Sequence, residues 1–388
     1  MTKTLRVGLV LEPAGWHLNG VINACALHDE VGEVAIADAT GQTFGTFHAL
    51  TGSSSDPHWR SRAHEPGSGP PPTWQQKGAA FDTPAALGDK LRGTFTDHRQ
   101  MLAEFKPDLV IVSLEPTKMP PVLTDCLEAG AHVLHEKPGC VRIEDYRAVV
   151  NVARRHQRHL GVLFGTRGQP NVREAREIIR RGELGDLFAV QAHYVAEHPR
   201  TWLWKDLAGG WMMDRSRGGG HLMFLGCHYL DAMRYLTGAD VTEVTGFTDV
   251  VGGEPIDGED AYALSFRFSN GMIGSMTGGF LLEGPAKQQG MTIYGRHGWL
   301  RLDPEPGTFL EWFSRQGNGR GAPYRRIDFT HTDVWSSSET FKREFFQACL
   351  GEGEPPIAPE DGLWMHEIGF AAREASATGR TQKVVLGG

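Results

Sequence analysis

The chain has 388 residues, 40% hydrophobic and 22% charged, with a formal net charge of −8. That length suits two cores rather than one, and the acidic balance gives a general nucleic-acid-binding role no electrostatic support. Five scattered cysteines without CxxC spacing (Cys25, Cys126, Cys140, Cys227, Cys349) fit a reducing compartment better than a disulfide framework or a zinc site.

Met1–Arg6 leads straight into Leu5–Leu11, a short apolar run that reads as a buried strand rather than the core of a signal peptide. No apolar run approaches the ~20 residues of a membrane span, so a cytoplasmic protein is expected. Leu18, Val21, Ile22 and Cys25 follow at helical spacing, and Glu33–Asp38 makes a second strand ending on an acid. This strand–helix–strand unit opens a doubly wound sheet. Residues 40–92 break the rhythm, because His64–Pro72 is rich in proline and glycine; a loop insertion is expected there. Asp97 then caps a helix with Met101, Leu102 and Phe105 inward, and Asp108–Ser113 is the next strand. Pro121 opens a helix that Gly130 closes, and strand 131–135 delivers Glu136-Lys137-Pro138. A parallel α/β domain over residues 1–138 results.

Residues 139–388 change style. Ala261–Phe268 alternates, Asn270-Gly271 makes a hairpin turn, and further strands follow from Met291 to Phe329. A large, mainly antiparallel open sheet is expected, with helices near 143–159, 171–181 and 222–236 against one face. The basic runs 154–159 and 173–181 are read as solvated helix faces. Trp364, Ile368, Ala371 and Ala375 form an apolar stripe on a last helix, expected to pack back on the first domain.

Several motifs in a fixed order carry a resemblance: the opening strand, Glu136-Lys137-Pro138, Gly182-Glu183-Leu184-Gly185 and Gly218-Gly219-Gly220. Gly226-Cys227-His228-Tyr229-Leu230-Asp231, Gly298–Leu302 and Thr378-Gly379-Arg380 complete the set. The chain resembles the Gfo/Idh/MocA oxidoreductases. The resemblance implies an N-terminal Rossmann domain plus a C-terminal α/β domain whose open sheet forms a dimer or tetramer interface. It also implies NAD-dependent oxidation or reduction of a hydroxyl on a sugar, glycoside or related polyol.

By that resemblance Lys137 is the proton-transfer group beside the reacting hydroxyl, with Glu136 a local anchor and Pro138 in a cis peptide. His228 is expected to contact substrate. The family's polyol dehydrogenases carry an aspartate where this chain has Phe224, four residues earlier on the same helix face, so the acid–base pair is broken. A phenyl ring there points to a substrate with an apolar or aromatic portion. Lys205, after Trp204, falls where relatives often carry a basic substrate-binding residue, and Asp231 is read as support for its helix.

The nucleotide loop departs further. A dinucleotide loop wants Gly-x-Gly-x-x-Gly, whereas Leu11–His17 keeps only Gly15, followed by Trp16, and adds Pro13 and Glu12. Asp38 stands where an acid bonds the adenosine ribose, favouring NAD over NADP; the alternative is a strand-end turn residue. Ser113, Glu115 and Pro116 end the strand before Lys137, where the resemblance implies a turn against the nicotinamide half of the cofactor. Glu12, Glu115 and His17 together offer a metal or water-activating site as an alternative, although no metal is assigned. Two rival readings remain: a non-redox lyase or hydrolase, and a catalytically silent sugar-binding protein on the same scaffold.

Overall fold

The computed structural model describes residues 3–13, 15–48, 80–197, 208–252, 256–282, 288–304, 308–316, 324–329 and 334–385. Lys205 and most of the 40–92 insertion, His64–Pro72 included, lie outside the described residues.

The first sheet is parallel throughout. Its strands are β1 (Leu5–Leu11), β2 (Val31–Ala37), β5 (Leu91–Phe95), β6 (Leu109–Ser113), β7 (His132–His135) and β8 (Leu160–Val162), in the order β5-β2-β1-β6-β7-β8. Helix α1 (Leu18–Leu27) buries Leu18, Val21, Ile22 and Cys25 completely, the face their spacing predicts. A small ribbon, β3 (Thr46–His48) with β4 (Ala80–Asp82), precedes the short helix α2 (Thr83–Leu87). Asp97 caps α3 (His98–Phe105) through the Arg99 amide, and α4 (Met119–Glu128) has prolines in its first turn.

Two expectations need correction. The parallel sheet does not stop at residue 138, because β8 pairs with β7 and extends it to Val162. The connecting helix α5 (Ile143–His156) therefore packs beside α4 instead of on the second sheet. Second, β5 falls at the end of the stretch read as an insertion. It is an edge strand, exposed or half-buried along its length, and so lacks the continuous apolar run of its neighbours.

The second sheet has nine strands: β9 (Leu187–Glu197), β10 (Val241–Asp249), β11 (Ala261–Phe268), β12 (Ile273–Leu282), β13 (Gln288–Gly295), β14 (Gly298–Leu302), β15 (Phe309–Ser314), β16 (Arg325–Asp328) and β17 (Gln382–Lys383). The order is β16-β15-β14-β13-β9-β12-β11-β10-β17, antiparallel except for the β9–β12 pair. In β11, Tyr262, Leu264, Phe266 and Phe268 are buried and the residues between them are not, so one face is covered. The covering helices are α6 (Pro170–Arg180), α7 (Cys227–Thr237) and α9 (Pro359–Thr378), while α8 (Val334–Leu350) returns to α1 and β1.

Helix α9 is wedged between the two sheets. Gly362 lies against Tyr146 and Val162, Ser376 bonds to Thr248 of β10, and every residue from Asp361 to Gly369 is buried. The single apolar stripe legible in the sequence is thus one side of a helix covered nearly all round over its first half.

Candidate active site

The strand β7 ends at the carboxyl edge of the parallel sheet, where the Glu136 amide still bonds to the Val112 carbonyl. The next peptide, Lys137-Pro138, is cis. Two imidazoles support this turn from behind. His135 Nδ1 donates to the Glu136 carbonyl and Nε2 accepts from the Tyr146 hydroxyl, each at 2.8 Å. His366 Nε2 accepts from the Gly139 amide at 2.9 Å and Nδ1 donates to the Gly362 carbonyl at 2.7 Å. The carbonyl partners fix each tautomer, since a carbonyl can only accept. Burial pushes the imidazole of His135 down to about 4 and that of His366 to about 3, so both are neutral.

Lys137 itself is buried, 1% exposed. Its Nζ donates to the main-chain oxygen of Phe224 at 2.8 Å and lies 4.0 Å from the centre of the Phe224 ring. Phe224 sits in a π-helical turn, Leu222–Gly226, that leads into α7. Its ring meets the edges of Trp16 and Trp211 at centroid distances of 5.2 and 5.8 Å. At 1% exposure it is a packing residue of the closed site. This corrects the expectation that the ring offers a stacking surface for an aglycone. His228 is half-buried in the first turn of α7, with its ring edge-on to Phe164. Asp231 forms a buried bidentate pair with Arg167, and so supports its helix as the sequence implies.

The Glu136 carboxylate accepts from the Lys137 amide at 3.2 Å and meets His17 Nδ1 at 2.8 Å. Burial would raise its pKa, but the charge and hydrogen bond of His17, with Lys137 beside it, hold it below the usual carboxylate range. The triple-glycine segment closes the other side. Gly220 has φ of 105°, and a Cβ there would collide with the Glu259 carboxyl group. Behind it, Arg373 bonds to Glu259 and to the Gly219 carbonyl.

The crevice between β1 and β6 is filled by the chain's own side chains. Read from Leu11, the dinucleotide fingerprint would place Leu11, Pro13 and Trp16 on its three glycines. Glu12 instead reaches across to the Glu115 amide and to Lys118 Nζ, the latter at 2.5 Å. Gly15 packs so tightly on β6 that a Cβ would lie 2.8 Å from Ser113 Oγ and closer still to the Ser113 carbonyl oxygen. Ser113 Oγ donates to the Trp16 carbonyl at 2.7 Å. The Glu115 carboxylate is clamped by Arg217 at 2.6 and 3.0 Å and by Thr117 at 2.7 Å. Burial opposes its ionisation; Arg217 and Thr117 outweigh that and hold its pKa low. Pro116 is buried against Gly218.

Asp38 is 1% exposed and accepts four hydrogen bonds from the amides and hydroxyls of Thr40 and Thr43, at 2.8–2.9 Å. Both its oxygens are spent on its own turn, which corrects the expectation of a ribose ligand in this arrangement. The donors at the β6 end suit the diphosphate of the dinucleotide that this Rossmann family binds, but as folded they hold Glu12, while Pro13 has no N–H and Asp38 is saturated. The joint metal or water-activating site of Glu12, Glu115 and His17 is not formed either, since these pair with Lys118, Arg217 and Glu136; among the described residues no group of three His, Cys, Asp or Glu could hold a metal.

The structure thus gathers Gly15, Trp16, Ser113, Glu115, Pro116, Glu136, Lys137 and Phe224 along one carboxyl-edge crevice, with His228 four residues past Phe224, and leaves Asp38 at the end of β2. Lys118, Arg217, Glu259 and Arg373 were not singled out by the sequence. Each acts through a partner about a hundred residues away, which no local pattern reveals.

Residues 76–164 match the profile described as "Oxidoreductase family, NAD-binding Rossmann fold", and residues 172–301 match the GFO/IDH/MocA C-terminal domain. The chain belongs to the Gfo/Idh/MocA oxidoreductase family. A relative in that family, 1,5-anhydro-D-fructose reductase of Ensifer adhaerens, is 25% identical over 324 residues, covering 81% of this chain and 90% of its own. Among solved structures, a levoglucosan dehydrogenase complex with NADH superposes with a TM-score of 0.77 at 18% identity, covering 99% of this chain and all of its own. The WlbA dehydrogenase of Bordetella pertussis, in complex with NADH and UDP-GlcNAcA, superposes with a TM-score of 0.75 at 20% identity, again over 99% and 100% of the two chains. Both structures show a shared Gfo/Idh/MocA fold.

Proposed function

We propose that this chain is an NAD-dependent oxidoreductase acting on a CH–OH group of a sugar, glycoside or related polyol, with Lys137 as its proton-transfer group. The supporting observation is the position of Lys137: a buried lysine at the carboxyl end of a parallel strand, where open α/β sheets bind ligands, with its Nζ on the turn that leads into the helix carrying His228. The sugar-acting relatives support the substrate class. When bound, a nicotinamide nucleotide supplies the hydride chemistry. As the neutral amine Lys137 accepts the hydroxyl proton while the carbonyl forms, and as the ammonium it returns that proton in the reverse direction. Glu136 and the Phe224 carbonyl hold the lysine in place and balance its charge, while His228 orients the substrate. Lys205 is a further proposed substrate contact.

The test is a screen of sugars, anhydro-sugars, glycosides and inositols with NAD and NADP, followed by absorbance at the reduced nicotinamide band, alongside mass spectrometry of nucleotide released on denaturation. No turnover with any of them, no binding of either nucleotide and no released nucleotide would overturn this reading. The carboxylate-filled β1–β6 crevice favours a second one, a non-redox lyase or hydrolase on the same scaffold, which the same screen distinguishes by a product formed without nucleotide.

Three lesser inferences accompany it. Ile273, Tyr294 and Phe247 are 56, 38 and 75% exposed on the second sheet, which supports a homo-oligomer formed through that sheet; light scattering tests it. The five cysteines are all free, which supports a cytoplasmic location. The net negative charge supports a small-molecule partner over nucleic acid, and among the described residues no helix is long and apolar enough to cross a membrane.

A further inference from the structure

The order of the parallel sheet identifies where a ligand is expected. The chain runs outward from β1 to β2 and β5, then returns to the other side of β1 with β6. The reversal lies between β1 and β6, paired to the level of Leu11 and Ser113, and in such sheets the crevice at this reversal is the ligand site. The groups at its carboxyl edge are anion-binding groups: the Glu115 amide, Lys118 Nζ and, one residue beyond, the Arg217 guanidinium. A phosphate oxygen is held by such donors. Here the Glu115 amide and Lys118 hold Glu12, while Arg217 holds the Glu115 carboxylate beside them.

We propose that the Glu12 carboxylate occupies the place of a dinucleotide's diphosphate, as an internal latch that must swing out before NAD binds. This rests on the oxidoreductase reading above. Three observations beyond the ion pair carry it. The Glu12 side chain is only 13% exposed, so it is built into the crevice, whereas Lys118 on its rim is 55% exposed. Pro13 follows it and offers no competing donor to a phosphate. The loop that Glu12 begins continues into Trp16, tied to Ser113 Oγ and packed on Phe224, the residue that holds Lys137. Release of the carboxylate therefore frees the diphosphate donors and loosens the cover over Lys137 together. The latch makes NAD binding compete with an internal anion, and affinity for NAD is set by the free energy of opening as well as by contact.

The experiment is calorimetric titration of NAD into wild type, Glu12→Gln and Lys118→Met, with circular dichroism of each. Glu12→Gln removes a like charge from the diphosphate's place and is expected to bind NAD at least about tenfold more tightly than wild type. Lys118→Met removes a donor and leaves Glu12 uncompensated, so it is expected to bind several-fold more weakly. Being at an exposed position, it provides a test even if Glu12→Gln does not fold. Equal or weaker binding by Glu12→Gln, or unchanged binding by Lys118→Met, overturns the latch and leaves the oxidoreductase reading standing. Absence of binding to all three proteins overturns both.

Discussion

Lys137 Nζ and Phe224 are joined twice, by a 2.8 Å hydrogen bond to the main-chain oxygen and by a 4.0 Å approach to the ring. The lysine belongs to the parallel sheet and the phenylalanine to the π-helical turn before α7, so the pair is a covalently remote bridge between the two halves of the chain. Where polyol-dehydrogenase relatives are implied to carry an aspartate, this chain answers the ammonium with a carbonyl dipole and a π face instead of a full charge.

That arrangement predicts the behaviour of Lys137 variants. Lys137→Ala is expected to lower turnover by roughly 10²–10⁴-fold, the range of general acid–base catalysis, with the fold retained. Lys137→Arg is expected not to restore it, because a guanidinium stays protonated. Steady-state kinetics on whichever substrate the screen finds decide this, and near-wild-type turnover of the alanine variant removes the residue from the mechanism.

Gly15 lies where β-carbon space is absent. Gly15→Ala is expected to push the 12–17 loop off Ser113, costing about 1–3 kcal/mol of stability as an overpacked site does. Gly351→Ala is a poor control because of its φ of 84°, whereas Gly45→Ala meets nothing within 4 Å and is expected to be near neutral. Urea denaturation of both variants checks the contrast, and equal midpoints would contradict it.

Much of this architecture was legible because its signals are local. The 3, 4 and 7 spacing of Leu18, Val21, Ile22 and Cys25 states which face of α1 is buried, and the alternation in β11 does the same for the second sheet. What was not legible depends on contacts distant in sequence. Glu12 puts a negative charge into the nucleotide loop; that it is neutralised by Lys118, 106 residues on, is a property of the fold. Asp38 reads in the sequence as either a ribose ligand or a strand-end turn residue, and the turn is what Thr40 and Thr43 realise. Phe224 and His228 read as one helix face, but a π-turn intervenes and the ring is enclosed by Trp16 and Trp211.

Behind the triple glycine, Glu259 and Arg373 are 2% and 7% exposed and satisfy each other, the Leu222 amide and the Gly219 carbonyl. Arg373→Met leaves a buried carboxylate without its counter-charge, and a loss of about 3–5 kcal/mol is expected. The double variant Arg373→Met, Glu259→Gln removes both charges and is expected to recover part of that loss. Chemical denaturation of the three proteins tests it; a single variant as stable as wild type would mean that the pair contributes nothing.

The histidines under the Lys137 turn give the pH dependence of stability. His135 and His366 have folded-state values of about 4 and about 3, because burial keeps each neutral, whereas an unfolded histidine titrates near ~6.5. Below ~6.5 the unfolded chain therefore binds protons that the folded one refuses, and stability falls as the pH is lowered. Each group contributes at most ~1.4 kcal/mol per pH unit until its folded value is reached, so the pair lowers stability by a few kcal/mol on the way from pH 6.5 to 5. Partly buried His132, also pushed to about 4, and His159 act in the same direction. The carboxyls of Glu136, Glu115 and Asp361 are depressed as well and so also withdraw stability in acid, but only from the unfolded carboxylate range downward. The window between pH 6.5 and 5 thus isolates the imidazoles. Urea denaturation at pH 7.0, 6.0 and 5.0 is expected to show a steady loss, with a shallower slope in His366→Gln, whose side-chain amide cannot ionise. A flat profile in wild type across that window would mean that these imidazoles are not held neutral by the fold.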